Sequence, residues 1–183
     1  MQRQYIIQIS AQWNLDFFYS KIKMEEIIIS SKFSAYNSIE ELPNEIQNLF
    51  ERATQTQKNA YAPYSKFRVG AAILLDNGEI VVGSNQENAA YPSGLCAERV
   101  AIFHAGAVYP EATILKIAIT AASDNNSTAI PVPPCGACRQ SIAEYEIRQN
   151  TPIKIYYMGE TGEIHQSDSL KNLLPFMFDN KLL

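Results

Sequence analysis

The chain has few of the residues that would build a cross-linked scaffold: among 183 residues there are three cysteines and two histidines. An odd cysteine count does not suit a disulfide framework, and free thiols point to a reducing compartment, the cytoplasm. Long apolar runs are missing too. Stretches such as Ile27 to Ile29 and Ala71 to Leu75 fall far short of the roughly 20 residues that span a bilayer. The opening MQRQYIIQISAQWNLDFFYSKIK has no continuous apolar core of roughly 7 to 15 residues and no small-residue cleavage site, so no secretory signal is expected. Positive charge is also scarce. A net charge of −4 and a pI near 5.2 give no broad basic field to condense onto a phosphate backbone. Neither a membrane nor nucleic acid is an expected partner. The apolar content, 46%, is enough to bury the core of one ordinary domain.

Residues 1–23 are rich in glutamine without clean periodicity, and Met24 could itself serve as a translation start. Residues 1–37 therefore read as an N-terminal extension and 38–183 as the working domain. Ile46, Leu49, Phe50 and Ala53 recur at helical spacing after Pro43 and Asn44, which predicts an amphipathic helix. FRVGAAILL and IVVGS flank an Asp76-Asn77-Gly78 turn, a strong β-hairpin signal. Helices are predicted from Cys96 to about Val108 and from Cys135 through Tyr145, with strands at Ile114 to Ala122 and at IKIYYM. A short C-terminal helix is expected around Leu170 to Leu174. Strand and helix alternate in the later part, so the expected fold is α/β, a mixed sheet flanked by helices in three layers.

Two of the cysteines lie in PPCGACRQ, as Cys135-Gly-Ala-Cys138, and the third, Cys96, in GLCAERVA. Spacing of this kind serves redox dithiols, structural zinc and catalytic zinc alike. Cys96 and Cys135 are each predicted to open a helix, where side chains of the first turn can converge beyond the helix end. Helix N-termini carry partial positive charge, which favours thiolates. Three protein ligands leave a tetrahedral zinc one position for water, and hydrolytic chemistry then needs a carboxylate alongside. Glu98, two residues after Cys96, is placed to be that group. Taken singly, each cysteine would read as a small buried hydrophobe and Glu98 as a first-turn acid favoured by the helix dipole. Taken together, Cys-x-Glu followed by Pro-Cys-x-x-Cys resembles the arrangement of zinc deaminases, with Cys in place of the commoner His as first ligand. His104 lies two turns beyond Cys96, too far to join the same ion, and His165 is assigned no role.

Five motifs stand in one order: YAPYSKFRVGAA (Tyr61 to Ala72), NQENAAYP (Asn85 to Pro92), CAER, PCGACRQ and LLPFMF (Leu173 to Phe178). On these the sequence resembles the cytidine deaminases of the small, homotetrameric, zinc-dependent type with three cysteine ligands, from about Ile46 to the C-terminus. The resemblance implies a cytidine deaminase-like α/β/α fold and hydrolytic deamination of cytidine and deoxycytidine in pyrimidine salvage. It also implies one Zn²⁺ per chain on Cys96, Cys135 and Cys138, with Glu98 as proton carrier. Asn85 and Glu87 would bind the ribose hydroxyls, Phe67 would pack on the pyrimidine, and the Ala97 N–H would donate to the ring carbonyl. Arg99 would hydrogen-bond the thiolates. Tyr91 and Phe178 match positions that reach a neighbouring subunit's pocket, so active sites would be completed across a homotetramer. Gln86 stands where the family usually has an aliphatic residue. Rival readings keep the machinery but change the substrate, to a nucleoside antibiotic or a free base, or assume a closed zinc-stabilised binding module. The latter would need a fourth ligand that the cysteine count does not supply.

Overall fold

The computed structural model describes residues 25–179. The N-terminal 23 residues and Met24, the candidate alternative start, lie outside the described residues.

The central feature is a six-stranded sheet, built from β1 (Ser34–Tyr36), β2 (Phe67–Leu75), β3 (Ile80–Ser84), β4 (Ile114–Ser123), β5 (Lys154–Met158) and β6 (Ile164–Ser167). Its order is β1-β6-β5-β4-β2-β3. β4 and β5 run parallel, joined through a helix, whereas the other neighbours are antiparallel. Ser34 to Tyr36, which the sequence places in the extension, pair with β6 at one edge, and the Tyr36 hydroxyl donates to Gln166 Oε1 at 2.8 Å. The hairpin forms as its turn residues predict, with Gly78 at φ 86°, a conformation open to glycine.

The strands read as unbroken apolar runs because both faces of the sheet are covered. Ala71, Ile73, Ile117, Ile119, Ile155 and Tyr157 pack on one face together with α2 (Ala97–Val108) and α3 (Gly136–Gln149). Their sequence neighbours Ala72, Leu74, Ala118 and Tyr156 face the other way, onto α1 (Asn44–Gln57). This period of two is the strand geometry itself. The predicted α1 stripe is buried: Ile46, Leu49, Phe50 and Ala53 are all at most 1% exposed, and each large member contributes roughly 1.5–3 kcal/mol by leaving water. The result is the expected three-layer arrangement. α3 runs on to Gln149, past the predicted end at Tyr145. The predicted C-terminal helix is a single 3-10 turn at Leu170–Asn172.

Candidate metal centre and active site

Cys96 and Cys135 occupy equivalent places, each the extended residue immediately before a helix, with φ, ψ of −71°, 156° and −66°, 168°. Neither sulfur caps its own helix. Cys138 lies one turn into α3 and is fully buried, Cys96 is half-buried and Cys135 exposed, so the cluster is seated in protein on one side and open on the other. The Cys96 and Cys135 sulfurs are 3.7 Å apart and those of Cys135 and Cys138 3.5 Å. All three ligand atoms lie within 4.8 Å of one another. Four sulfur-type ligands about 2.3 Å from a tetrahedral zinc stand about 3.8 Å apart. The cluster therefore fits one zinc ion by spacing and by donor chemistry. It supplies three sulfurs, and His104 is not among them.

The electrostatics favour a thiolate at Cys96. The Cys96 thiol is pushed down to about 5, chiefly by the hydrogen bond from Cys138, with Cys135 and the Arg99 guanidinium adding to it. Cys138 moves upward, first because its proton is shared with Cys96 and then through burial. Arg99 Nη2 donates to the Gly94 carbonyl at 3.4 Å, and its buried Nε has no hydrogen-bond partner. A guanidinium so placed beside Cys96 lowers the cost of negative charge on that sulfur. Glu98, in the first turn of α2, is 4% exposed, and burial pushes its carboxyl up to about 7. The charge of Cys96 acts in the same direction, while hydrogen bonds from its own backbone and from Cys138 oppose it. A carboxyl poised near neutrality can both take and give a proton.

A cleft of about 480 Å³ opens beside Cys96, lined among others by Asn85, Glu87, Tyr91 and Arg99. Thus the structure gathers four of the sequence-predicted residues around the first ligand. β3 ends at Ser84, so Asn85 and Glu87 lie past the strand rather than on it. Asn85 is 9% exposed. Its Oδ1 accepts from Val69 N at 2.8 Å and its Nδ2 donates to Phe67 O at 2.9 Å, which ties the start of β2 to the cleft. Glu87 Oε2 accepts from the backbone N–H groups of Tyr64 and Ser65, at 2.9 and 3.3 Å. Its carboxyl is held below the usual range, first by the Ser65 hydroxyl and then by those amides. Gln86 pairs through its backbone with Leu95, directly before Cys96, and its amide donates to Ser84 Oγ at 3.2 Å.

Ala97 is buried as the first residue of α2. Phe67 is half-buried at the start of β2. Tyr91 is 76% exposed and Phe178 57% exposed; Phe178 does not line the cleft. Tyr64 and Ser65 lie inside a motif quoted above, yet motif spacing does not reveal their hold on Glu87, which is made by two backbone N–H groups and the Ser65 hydroxyl.

The family described as the cytidine and deoxycytidylate deaminase zinc-binding region matches residues 43–152. The cytidine deaminase of Halalkalibacterium halodurans is 42% identical over 132 residues, covering 72% of this chain and 92% of its own. That of Sporosarcina psychrophila is 39% identical over 137 residues, covering 75% and 93%. The crystal structure of a cytidine deaminase from Burkholderia pseudomallei superposes over 75% of this chain and 100% of its own, at 34% identity and a TM-score of 0.62.

Proposed function

We propose the function from a plain premise: this chain belongs to the cytidine and deoxycytidylate deaminase family. It deaminates cytidine and deoxycytidine hydrolytically, giving uridine or deoxyuridine and ammonia, as a step of pyrimidine salvage. The observation that carries this reading is the meeting of three sulfurs and one buried carboxyl at the starts of two helices.

Cys96, Cys135 and Cys138 would hold a single zinc ion. Bound there, zinc supplies a water made acidic enough to attack C4 of the base at neutral pH. Glu98 takes up one proton from this water and delivers it to ring N3, then takes the second from the hydroxyl added at C4 and gives it to the amine, which leaves as ammonia as the C4 carbonyl forms. Its burial keeps the carboxyl near neutral pKa, so neither transfer is strongly uphill. Arg99 offsets the charge of the thiolates. The Ala97 N–H, at the positive end of α2, donates to the ring carbonyl. Asn85 and Glu87 bind the sugar hydroxyls. Glu87 stays ionised because Tyr64 and Ser65 hold its other oxygen. Phe67 packs on the pyrimidine. Tyr91 and Phe178, both largely exposed, act in the pocket of a neighbouring subunit, so that a homotetramer completes each site.

Residues 38–183 act as the deaminase domain behind an extension of residues 1–37, whose Ser34–Tyr36 add the edge strand β1 to the domain's sheet. Three free thiols and a zinc site of this kind suit the reducing cytoplasm; among the described residues no helix is long and apolar enough to cross a membrane. The test is an ultraviolet assay with cytidine, deoxycytidine, cytosine and a cytosine nucleoside antibiotic in parallel, with metal analysis of the same sample. Turnover of the first two with one zinc per chain is expected. Turnover of cytosine or the antibiotic alone would reassign the substrate.

A further inference from the structure

The first turn of α3 carries more than its sulfurs. Directly after Cys138 come Arg139 and Gln140, and both side chains reach the C-terminal segment. Arg139 Nε donates to the Pro134 carbonyl at 2.8 Å, ahead of Cys135, and its Nη1 donates to the Leu173 carbonyl at 2.9 Å. Gln140 Nε2 donates to the Phe178 carbonyl at 2.9 Å. Neither residue lines the cleft beside Cys96.

Residues 174–179 form neither helix nor strand, so no repeating backbone pattern fixes their path. Met177 packs against the core between the sheet and α3, while Phe176 and Phe178 on either side of it are 81% and 57% exposed. One apolar anchor sets the depth of such a segment but leaves it free to slide and turn, since apolar contact is non-directional. Besides the Leu174 N–H bond to the Leu170 carbonyl, hydrogen bonds to the Leu173 and Phe178 carbonyls give the path between them direction. Their donors leave the helix turn that bears Cys138, so the segment is placed relative to the metal centre.

We propose that Gln140, together with Arg139, is a positioning residue for substrate binding: the pair clamps the C-terminal segment onto the ligand-bearing turn and so presents Phe178 in a fixed orientation. The functional half of this statement rests on the reading above, in which Phe178 contacts substrate. The Gln140 bond is solvent-exposed, so its loss loosens the hold on Phe178 without unfolding the domain.

The test uses the full-length zinc-loaded chain with Gln140→Met, which keeps length and removes the donor. Amide exchange over 174–179 is expected to quicken several-fold relative to β2. KM for cytidine should rise about two- to tenfold, the equivalent of one hydrogen bond, with kcat and zinc content unchanged. Phe178→Ala should raise KM as well, and the double variant should be no worse than the more affected single variant, because both act through one contact. Gln140→Glu keeps the shape, sets a carboxylate against the same carbonyl and should give the same split. Unchanged exchange over 174–179 overturns the clamp, as do KM effects that multiply in the double variant. A wild-type chain inactive on cytidine refutes the functional reading instead, and the exchange rates then decide the clamp alone.

Discussion

Replacing Gly83 by alanine tests whether the closeness of α2 to the sheet sets the geometry of the metal centre. Gly83 lies in β3 opposite Ala71 of β2, and its bare Cα faces the helix. A Cβ there would stand 2.5 Å from Ala101 N and 2.6 Å from Ala97 O. Both atoms are helix backbone and cannot rotate away. Contacts of this kind settle near 3.5 Å, so α2 would have to retreat by about 1 Å. Ala97, Ala101 and Ala105 are fully buried beneath it, small residues that give the interface no long side chain to repack. Overpacking of this sort costs about 1–3 kcal/mol, which lowers Tm by about 2–12 °C for a chain of this size. Activity should fall much further. The first turn of α2 carries Glu98, and Cys96 precedes it, whereas Cys135 and Cys138 ride on α3. A shift near 1 Å between the two would cost on the order of a hundredfold in kcat/KM at temperatures where the fold persists. Gly136→Ala is the matching control, since a Cβ there meets nothing within 4 Å. A Gly83→Ala protein that melts and turns over like the parent would refute the reasoning.

Glu98→Gln should lower kcat by about a hundred- to ten-thousandfold while metal analysis still finds zinc, because the ligands are sulfurs; near-normal turnover removes Glu98 from the chemistry. Glu146 is a buried carboxylate that accepts from Ile153 N at 2.8 Å, from Leu170 N at 3.0 Å and from the Ser169 hydroxyl. Glu146→Leu orphans the two amides at about 1–3 kcal/mol each, which a urea titration would register as a lowered midpoint. Glu87 has its pKa depressed from the ordinary 4.5, so its hold on the Tyr64 and Ser65 amides is complete above that value and weakens as pH falls through the lower, folded-state one. Exchange of those two amides, corrected for intrinsic rates, should stay slow above pH 4.5 and quicken in stronger acid, and Glu87→Ala should make it fast throughout.

Where the sequence was readable, local pattern and tertiary demand coincided. The β2–β3 hairpin has an Asp-Asn-Gly turn between two apolar runs, and α1 has a clean apolar stripe; both formed with the predicted residues inside. α3 outran its predicted end because Glu146 is buried by hydrogen bonding, and a charged residue at a core position hides the apolar period. The predicted C-terminal helix shrank to one turn ahead of Pro175, whose ring disfavours helical backbone in the residue before it. β1, three residues long and largely exposed, has no alternation to read; its place comes from pairing with β6, which is non-local.

The site divides along the same line. The sulfurs and Glu98 were legible because each pair is local: Cys135 with Cys138, Cys96 with Glu98. That the two pairs meet depends on topology. β2 is antiparallel to both β3 and β4, so β3 and β4 run in the same direction and their C-terminal ends lie at one edge of the sheet. α2 follows β3 and α3 follows β4, and both helices pack on the same face. Their N-termini are therefore delivered to the same edge, which is where open α/β sheets place ligands. A 3.7 Å separation between sulfurs from opposite sides of β4 in the chain follows from that strand direction together with the glycine contact at Gly83. By contrast, Asn85 fixing Phe67 and Val69, or the Tyr64 and Ser65 amides holding Glu87, are contacts made with backbone groups. No choice of side chain records the backbone half of such a contact, so composition and spacing leave it silent.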